Sequence, residues 1–262
     1  MNVRANGITF NVRIDGRKGA PWLVFSNSLA TDLSMWDGQV EHLHEKFQIL
    51  RYDQRGHGAT EAPAGPYDFD LLVADVVALY DALGIDRADF VGISMGGMTA
   101  LGLVERHPGR VDRVVPCDCS AGSTPASAAQ WAERIAQAEQ HGLEPLVEPT
   151  LERWFSPETI AAQPALMNKV RAMIRATPFN GFAGCAAAIA NFDFRPGLAA
   201  IGRPAMVIVG TKDAMLAGAK QVHAAIPGAA LVELDGAGHL SNLDQPEAFN
   251  RALEDFLGRP PE

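Results

Sequence analysis

The sequence is poor in several things, and each shortage excludes something. Basic residues are outnumbered, 22 Lys and Arg against 31 Asp and Glu for a formal charge of −9, and no run of Lys or Arg exceeds two. The positive stripe a nucleic-acid-binding surface needs is therefore missing, and no nucleic-acid partner is expected. No stretch approaches the roughly 18 consecutive apolar residues of a membrane span. The opening MNVRANGITFNVRIDG lacks the apolar core of a secretory signal, so no membrane partner and a cytoplasmic location are expected. Cysteine is scarce: Cys117, Cys119 and Cys185 are three, an odd number. One C-x-C pair has neither zinc nor thioredoxin spacing, so these read as small buried apolar residues, and no metal site is expected. There is no internal repeat and no low-complexity linker.

What is present is an ordinary globular composition, 47% hydrophobic and 20% charged over 262 residues, enough for one large core. Two alternating stretches within 3–15 flank Asn6-Gly7, a hairpin turn signal. Short apolar strands are expected at 22–25, 47–52, 90–93, 111–117, 205–209 and 230–234. Helical periodicity covers 68–83, closed by Gly84, with further helices expected at 95–107, 217–226 and 245–257. Alternation of strand and helix predicts an α/β protein with a mostly parallel central sheet flanked by helices. Residues 122–196 hold no clear strand, are rich in Ala and are punctuated by Pro125, Pro145, Pro149, Pro157, Pro164 and Pro178. They read as several short helices forming a cap (lid) inserted into a core made of 1–121 and 197–262.

The chemistry converges on Gly92-Ile-Ser94-Met-Gly96, a G-x-S-x-G pattern between an expected strand and an expected helix. A sharp turn there exposes a serine hydroxyl at the sheet edge, and flanking side chains would clash with it. A serine needs a base, itself held by an acid. His42, His44, His107, His141 and His223 lie in polar helix-like surroundings, whereas His239 follows the 230–234 strand in a glycine-bearing loop and is the expected base. Asp213, after the preceding strand, is the expected acid, with Asp235 as its rival. The N–H groups of Leu29 and Met95 are the expected oxyanion donors.

Together, Gly92 to Gly97, the segment Asp53-Gln-Arg-Gly-His-Gly58, Asp213 and Gly238-His239 resemble the α/β-hydrolase family over nearly the whole chain outside the cap. The run Asn27-Ser-Leu-Ala-Thr-Asp-Leu-Ser-Met-Trp36 and the phrase Glu152-Arg-Trp-Phe155 resemble its bacterial 3-oxoadipate enol-lactonase branch, with Ala30 standing where that branch usually has Gly. The resemblance implies a small-molecule lactone as substrate, opened by Ser94, Asp213 and His239 without cofactor or metal, in the β-ketoadipate route of aromatic catabolism. It also implies that His57 braces the fold. A carboxylesterase or another lactonase remains open, as does a slow-turnover receptor on the same fold. Trp131 and Trp154 from the cap and Trp36 from the oxyanion loop are the expected substrate contacts. A substrate carboxylate would need a cation against the acidic surface, and Arg134, Arg153, Lys169, Arg171, Arg175 and Arg195 all qualify. A homo-oligomer is left open.

Overall fold

The computed structural model describes residues 1–258. Eight strands form one sheet: β1 (Asn2–Ala5), β2 (Ile8–Gly16), β3 (Trp22–Ser26), β4 (Gln48–Tyr52), β5 (Ala88–Ile93), β6 (Val111–Cys117), β7 (Met206–Gly210) and β8 (Ala230–Leu234). Their order is β1-β2-β4-β3-β5-β6-β7-β8. The first two pairings are antiparallel and all the others parallel. Every residue of β5 and of β7 is buried, as expected for parallel strands covered on both faces. The expected hairpin is present: Asn6 and Gly7 both have positive φ, 40° and 79°, the requirement of the tight turn between β1 and β2.

Helices cover the sheet: α1 (Asp37–Leu43), α2 (Phe69–Leu83), α3 (Met95–Arg106), α9 (Leu216–Ala225), α10 (Ser241–Asp244) and α11 (Pro246–Leu257), the labels α4 to α8 belonging to the insertion described below. The ends of α2 follow its sequence: Asp68 accepts the Leu71 N–H at 2.8 Å, and Gly84 leaves the helix at φ 68°. Its buried face carries Leu72, Val76, Leu79 and Tyr80. The helix α1 and the short α10 were not anticipated, because segments of 7 and 4 residues carry too few turns for a periodic signal.

Between β6 and β7 the chain adds no strand to the sheet. It makes five helices, α4 (Pro125–His141), α5 (Glu144–Trp154), α6 (Pro157–Ala162), α7 (Pro164–Ala176) and α8 (Phe179–Ala190). Each of the first four has proline in its first turn, where a missing N–H costs nothing. The neck of the insertion is pinned by Ser123 N–H to Phe192 O at 2.9 Å and Phe194 N–H to Ala121 O at 2.7 Å.

Two ion pairs lie inside this frame. Arg55 clasps Asp75 of α2 with two bonds of 2.8 and 2.6 Å, and Arg113 of β6 clasps Asp89 of β5 with two of 2.8 and 2.6 Å. All four side chains are buried. Removing one partner of such a pair strands a buried charge. Asp75→Ala should therefore lower unfolding stability by about 3–5 kcal/mol, and Arg55→Met with Asp75→Leu should lower it by much less; urea denaturation of both variants measures the difference.

Candidate active site

β3 and β5 are neighbours, with Ser26 opposite Gly92, while the chain leaves them toward opposite sides of the sheet. The crevice at such a reversal is where open α/β sheets bind ligands. Ser94 stands there, between β5 and α3, at φ 55° and ψ −115°. A non-glycine residue in that region is strained, and two contacts show how the strain is kept. The Ser94 N–H donates to Cys117 O at the end of β6, 2.8 Å away. A Cβ on Gly92 would come 2.1 Å from Gly96 O, and one on Gly96 would come 2.1 Å from Ser26 O, so only glycine permits so close a packing of strand, turn and helix.

The Ser94 hydroxyl lies 2.9 Å from His239 Nε2. On the other side of the ring, Nδ1 is 3.0 Å from both carboxylate oxygens of Asp213. With Nδ1–H donating to Asp213, Nε2 is left to accept the Ser94 proton. The Asp213 side chain is 1% exposed and the His239 side chain 13%, so the carboxyl is sealed while the imidazole reaches the cavity. Asp235 is exposed in the turn after β8, 3.4 Å from the Thr211 hydroxyl. The structure therefore brings Asp213, and not its rival, to the imidazole. His42, His44, His107 and His141 are exposed and His223 half-buried, as anticipated.

Near Ser94, neither the Leu29 N–H nor the Met95 N–H donates a hydrogen bond to any described residue. Met95 opens α3, where N–H groups are unpaired by geometry. Leu29 lines the cavity, and its loop is braced by the 53–58 segment. Asp53 accepts the Leu33 N–H at 2.7 Å, the Gln54 amide donates to Asn27 O at 2.5 Å, and His57 Nε2 accepts the Ala30 N–H at 2.9 Å. Ala30 itself sits at φ 59°, in the left-handed region that favours glycine. His57 is fully buried, and burial pushes its pKa down to about 4.

A cavity of about 740 Å³ opens over these groups, lined by Ser94, His239 and Asp213 below and by the insertion helices above. Trp131 of α4 and Trp154 of α5 line it, and the Trp154 ring lies 6.3 Å from the His239 ring at 28°. Trp36 does not. It is 0% exposed in the core, stacked on Phe25 at 4.5 Å, with its indole N–H donated to Asn27 at 3.0 Å. The expectation that Trp36 touches substrate is corrected: its ring packs in the core between Phe25 of β3 and Phe249 of α11, where burying so large a side chain is favourable.

Of the six cations, four are engaged. Lys169 bonds Asp37, Arg171 bonds Glu148, Arg175 bonds Glu144 and Arg195 bonds Asp193. Arg134 and Arg153 both line the cavity, and neither has a carboxylate partner among the described residues. Arg134 lies over the Trp131 ring at 4.7 Å. Arg153 still reaches solvent, yet partial burial and the Arg134 charge hold its pKa down to about 10. Sequence could not single them out, because the other four carry carboxylate partners as many as 132 positions away.

Residues 21–246 match the model of the alpha/beta hydrolase fold family. The chain belongs to this family. It is 37% identical to 3-oxoadipate enol-lactonase 2 of Acinetobacter baylyi, over 97% of this chain and 95% of that one. It is 41% identical to the enol-lactonase of Burkholderia xenovorans LB400, whose crystal structure superposes with a TM-score of 0.96 over 99% of this chain and 100% of that one. It is 28% identical to a putative carbamate hydrolase, RutD, of Stutzerimonas stutzeri, over 91% of this chain and 92% of that one. This member of the family is an enzyme.

His57 makes the site's brace sensitive to acid. Its folded pKa of about 4 lies below the ordinary 6.5, so the unfolded chain binds more protons between those values. The stability this group contributes is whole above pH 6.5 and is lost as pH falls toward 4. In urea denaturation, wild type should lose more stability over that window than His57→Gln; equal losses would contradict a neutral, buried His57.

Proposed function

We propose that the protein opens the ring of 3-oxoadipate enol-lactone to give 3-oxoadipate. Two things support the reading: the similarity to enol-lactonases over nearly the full chain, and, as the observation that carries it, two arginines with no carboxylate partner among the described residues lining the same cavity as a hydrogen-bonded Ser94–His239–Asp213 line. An enol-lactone of this kind carries a carboxylate as well as its reactive ester. The Arg134 and Arg153 pair supplies the local positive site that a −9 protein needs to hold an anion.

In this mechanism His239 takes the Ser94 proton as Oγ attacks the lactone carbonyl. The Leu29 and Met95 N–H groups receive the oxyanion. Collapse breaks the ring ester bond, and the imidazolium returns its proton to the departing enol oxygen, which stays tethered to the acyl chain. Water deprotonated by His239 then cleaves the acyl-enzyme, and the enol tautomerises to the ketone. Asp213 orients the ring and stabilises its charged form. The insertion acts as a lid whose Trp131 and Trp154 wall the substrate.

Loss of enol-lactone absorbance, measured against spontaneous hydrolysis, tests the reading. Wild type should reach a kcat/KM of about 10⁴ to 10⁸ M⁻¹s⁻¹, and Ser94→Ala should lose on the order of 10⁴ to 10⁶ in kcat. Wild type barely above the blank but fast on simple aryl esters would make it a carboxylesterase instead. For the anion site, Arg153→Met should raise KM for the lactone about 10- to 100-fold, the loss of one charge-assisted hydrogen bond, and leave an uncharged aryl ester nearly unaffected. Equal effects on both substrates would remove Arg153 from carboxylate binding.

A further inference from the structure

The loop that carries His239 is held from two directions, and one of them is the insertion. On the core side, the Ser241 hydroxyl donates to the buried Asp118 carboxyl after β6. The Asn242 amide donates to Met35 O at 3.0 Å and to Gln39 Oε1 of α1 at 3.1 Å. On the other side, the Leu240 N–H donates to Trp154 O at the end of α5, 3.3 Å away. A Cβ on Gly238 would come 2.5 Å from that same carbonyl oxygen, so the loop packs backbone to backbone against the joint between α5 and α6.

Asp244 completes this second contact. It ends α10, is 4% exposed, and lies with Thr159 outside the lining of the cavity. One of its carboxyl oxygens accepts the N–H of Gly238, the residue before His239, at 2.6 Å. The other accepts the hydroxyl of Thr159 in α6. The Thr159 hydroxyl in turn accepts the Ser156 hydroxyl at 3.1 Å, and Ser156 caps α6 by accepting the Thr159 N–H at 3.1 Å. Donation therefore runs one way, from Ser156 to Thr159 to Asp244. One side of the Asp244 carboxyl faces the insertion and the other faces the loop of the imidazole, with 85 positions of sequence between Thr159 and Asp244.

We infer that Asp244 is a positioning residue for His239, and that Thr159 makes the place of the base depend on the docked insertion: the Thr159 hydroxyl fixes the Asp244 carboxyl, which fixes Gly238 and with it the imidazole. The inference rests on the reading of His239 as the base of Ser94. Their contact is 2.9 Å, and a reacting group misplaced by about 1 Å can lose on the order of 10²-fold in rate. His239 serves both formation and hydrolysis of the acyl-enzyme, so a displaced ring slows both halves of the reaction. Trp131, Arg134 and Arg153, which wall the cavity, bond neither Thr159 nor Asp244, so substrate binding is left nearly as it was. The insertion then does two things, roofing the cavity and setting the base beneath it.

The test measures kcat and KM separately, with p-nitrophenyl acetate as probe so that the outcome does not depend on the lactone. Thr159→Val removes one hydroxyl outside the cavity and keeps the side chain's shape; it should lower kcat about 3- to 10-fold, the worth of one hydrogen bond, with KM nearly unchanged. Asp244→Ala, which frees Gly238 as well, should lose about 10- to 100-fold in kcat. Thr159→Ser, which keeps the hydroxyl, should recover most of the lost kcat. So should Asp244→Asn, whose amide oxygen can accept the Gly238 N–H while its nitrogen donates to Thr159. Thr159→Val added to Asp244→Ala should lose little more, because both remove the same link. A link that merely stabilised the insertion would lower Tm and leave kcat at the wild-type value. Wild-type kcat in Thr159→Val, additive losses in the double variant, or a loss carried by KM alone would overturn the proposal. Should Asp244→Ala fail to fold, the two Thr159 variants decide, and Thr159→Ser no better than Thr159→Val would overturn it. Unchanged hydrolysis by Ser94→Ala would instead overturn the reading on which it rests.

Discussion

The organisation of this molecule depends on one unfavourable backbone conformation, that of Ser94. A residue at φ 55° between a parallel strand and a helix is stable only if everything around it is in place. Here the requirement is met by backbone packed against backbone, with Gly96 pressed on Ser26 and Gly92 pressed on Gly96, and by the carbonyl of Cys117 on the next strand. The strain therefore ties β3, β5 and β6 to a single point. The same packing points the hydroxyl at His239 and leaves the first N–H of α3 unpaired.

The surrounding loops are held by buried polar side chains. Asp53, Gln54 and His57 brace the loop that carries Leu29. Asp244 accepts the Gly238 N–H at 2.6 Å and the hydroxyl of Thr159 in α6, so the His239 loop is joined to the insertion. The Leu240 N–H reaches Trp154 O at the end of α5, 3.3 Å away. The insertion is thus in register with the base, and the helices that bring Trp154 and Arg153 to the cavity also help to place His239.

The cavity sets a sealed, acid-and-base floor against a cationic, aromatic roof. The floor suits acyl transfer from many esters, because nothing in Ser94, His239 or Asp213 distinguishes one acyl group from another. In the proposed reading discrimination comes from the roof, where Arg134 and Arg153 would offer an anionic substrate the charge complement that the acidic remainder of the protein withholds.

Much of this was legible in the order of residues. Hydrophobic period and glycine punctuation are local properties, so the strands and the long helices could be read directly. So could Ser94, Asp213 and His239, because each follows a strand, and parallel strands deliver their ends to one edge of a sheet. The burial of Trp36 rather than its arrival in the cavity, and the lack of a carboxylate partner for Arg134 and Arg153 among the described residues, were decided by tertiary structure alone. Asp118 was equally silent, an acid after a strand like any other until the Gly210 N–H and the Ser241 hydroxyl closed around it. Sequence carries the period and the punctuation because these act between neighbours; partnership between charges is settled only when elements far apart in the chain are packed, and with it which group is paired, which is neutral and which is left to meet a ligand.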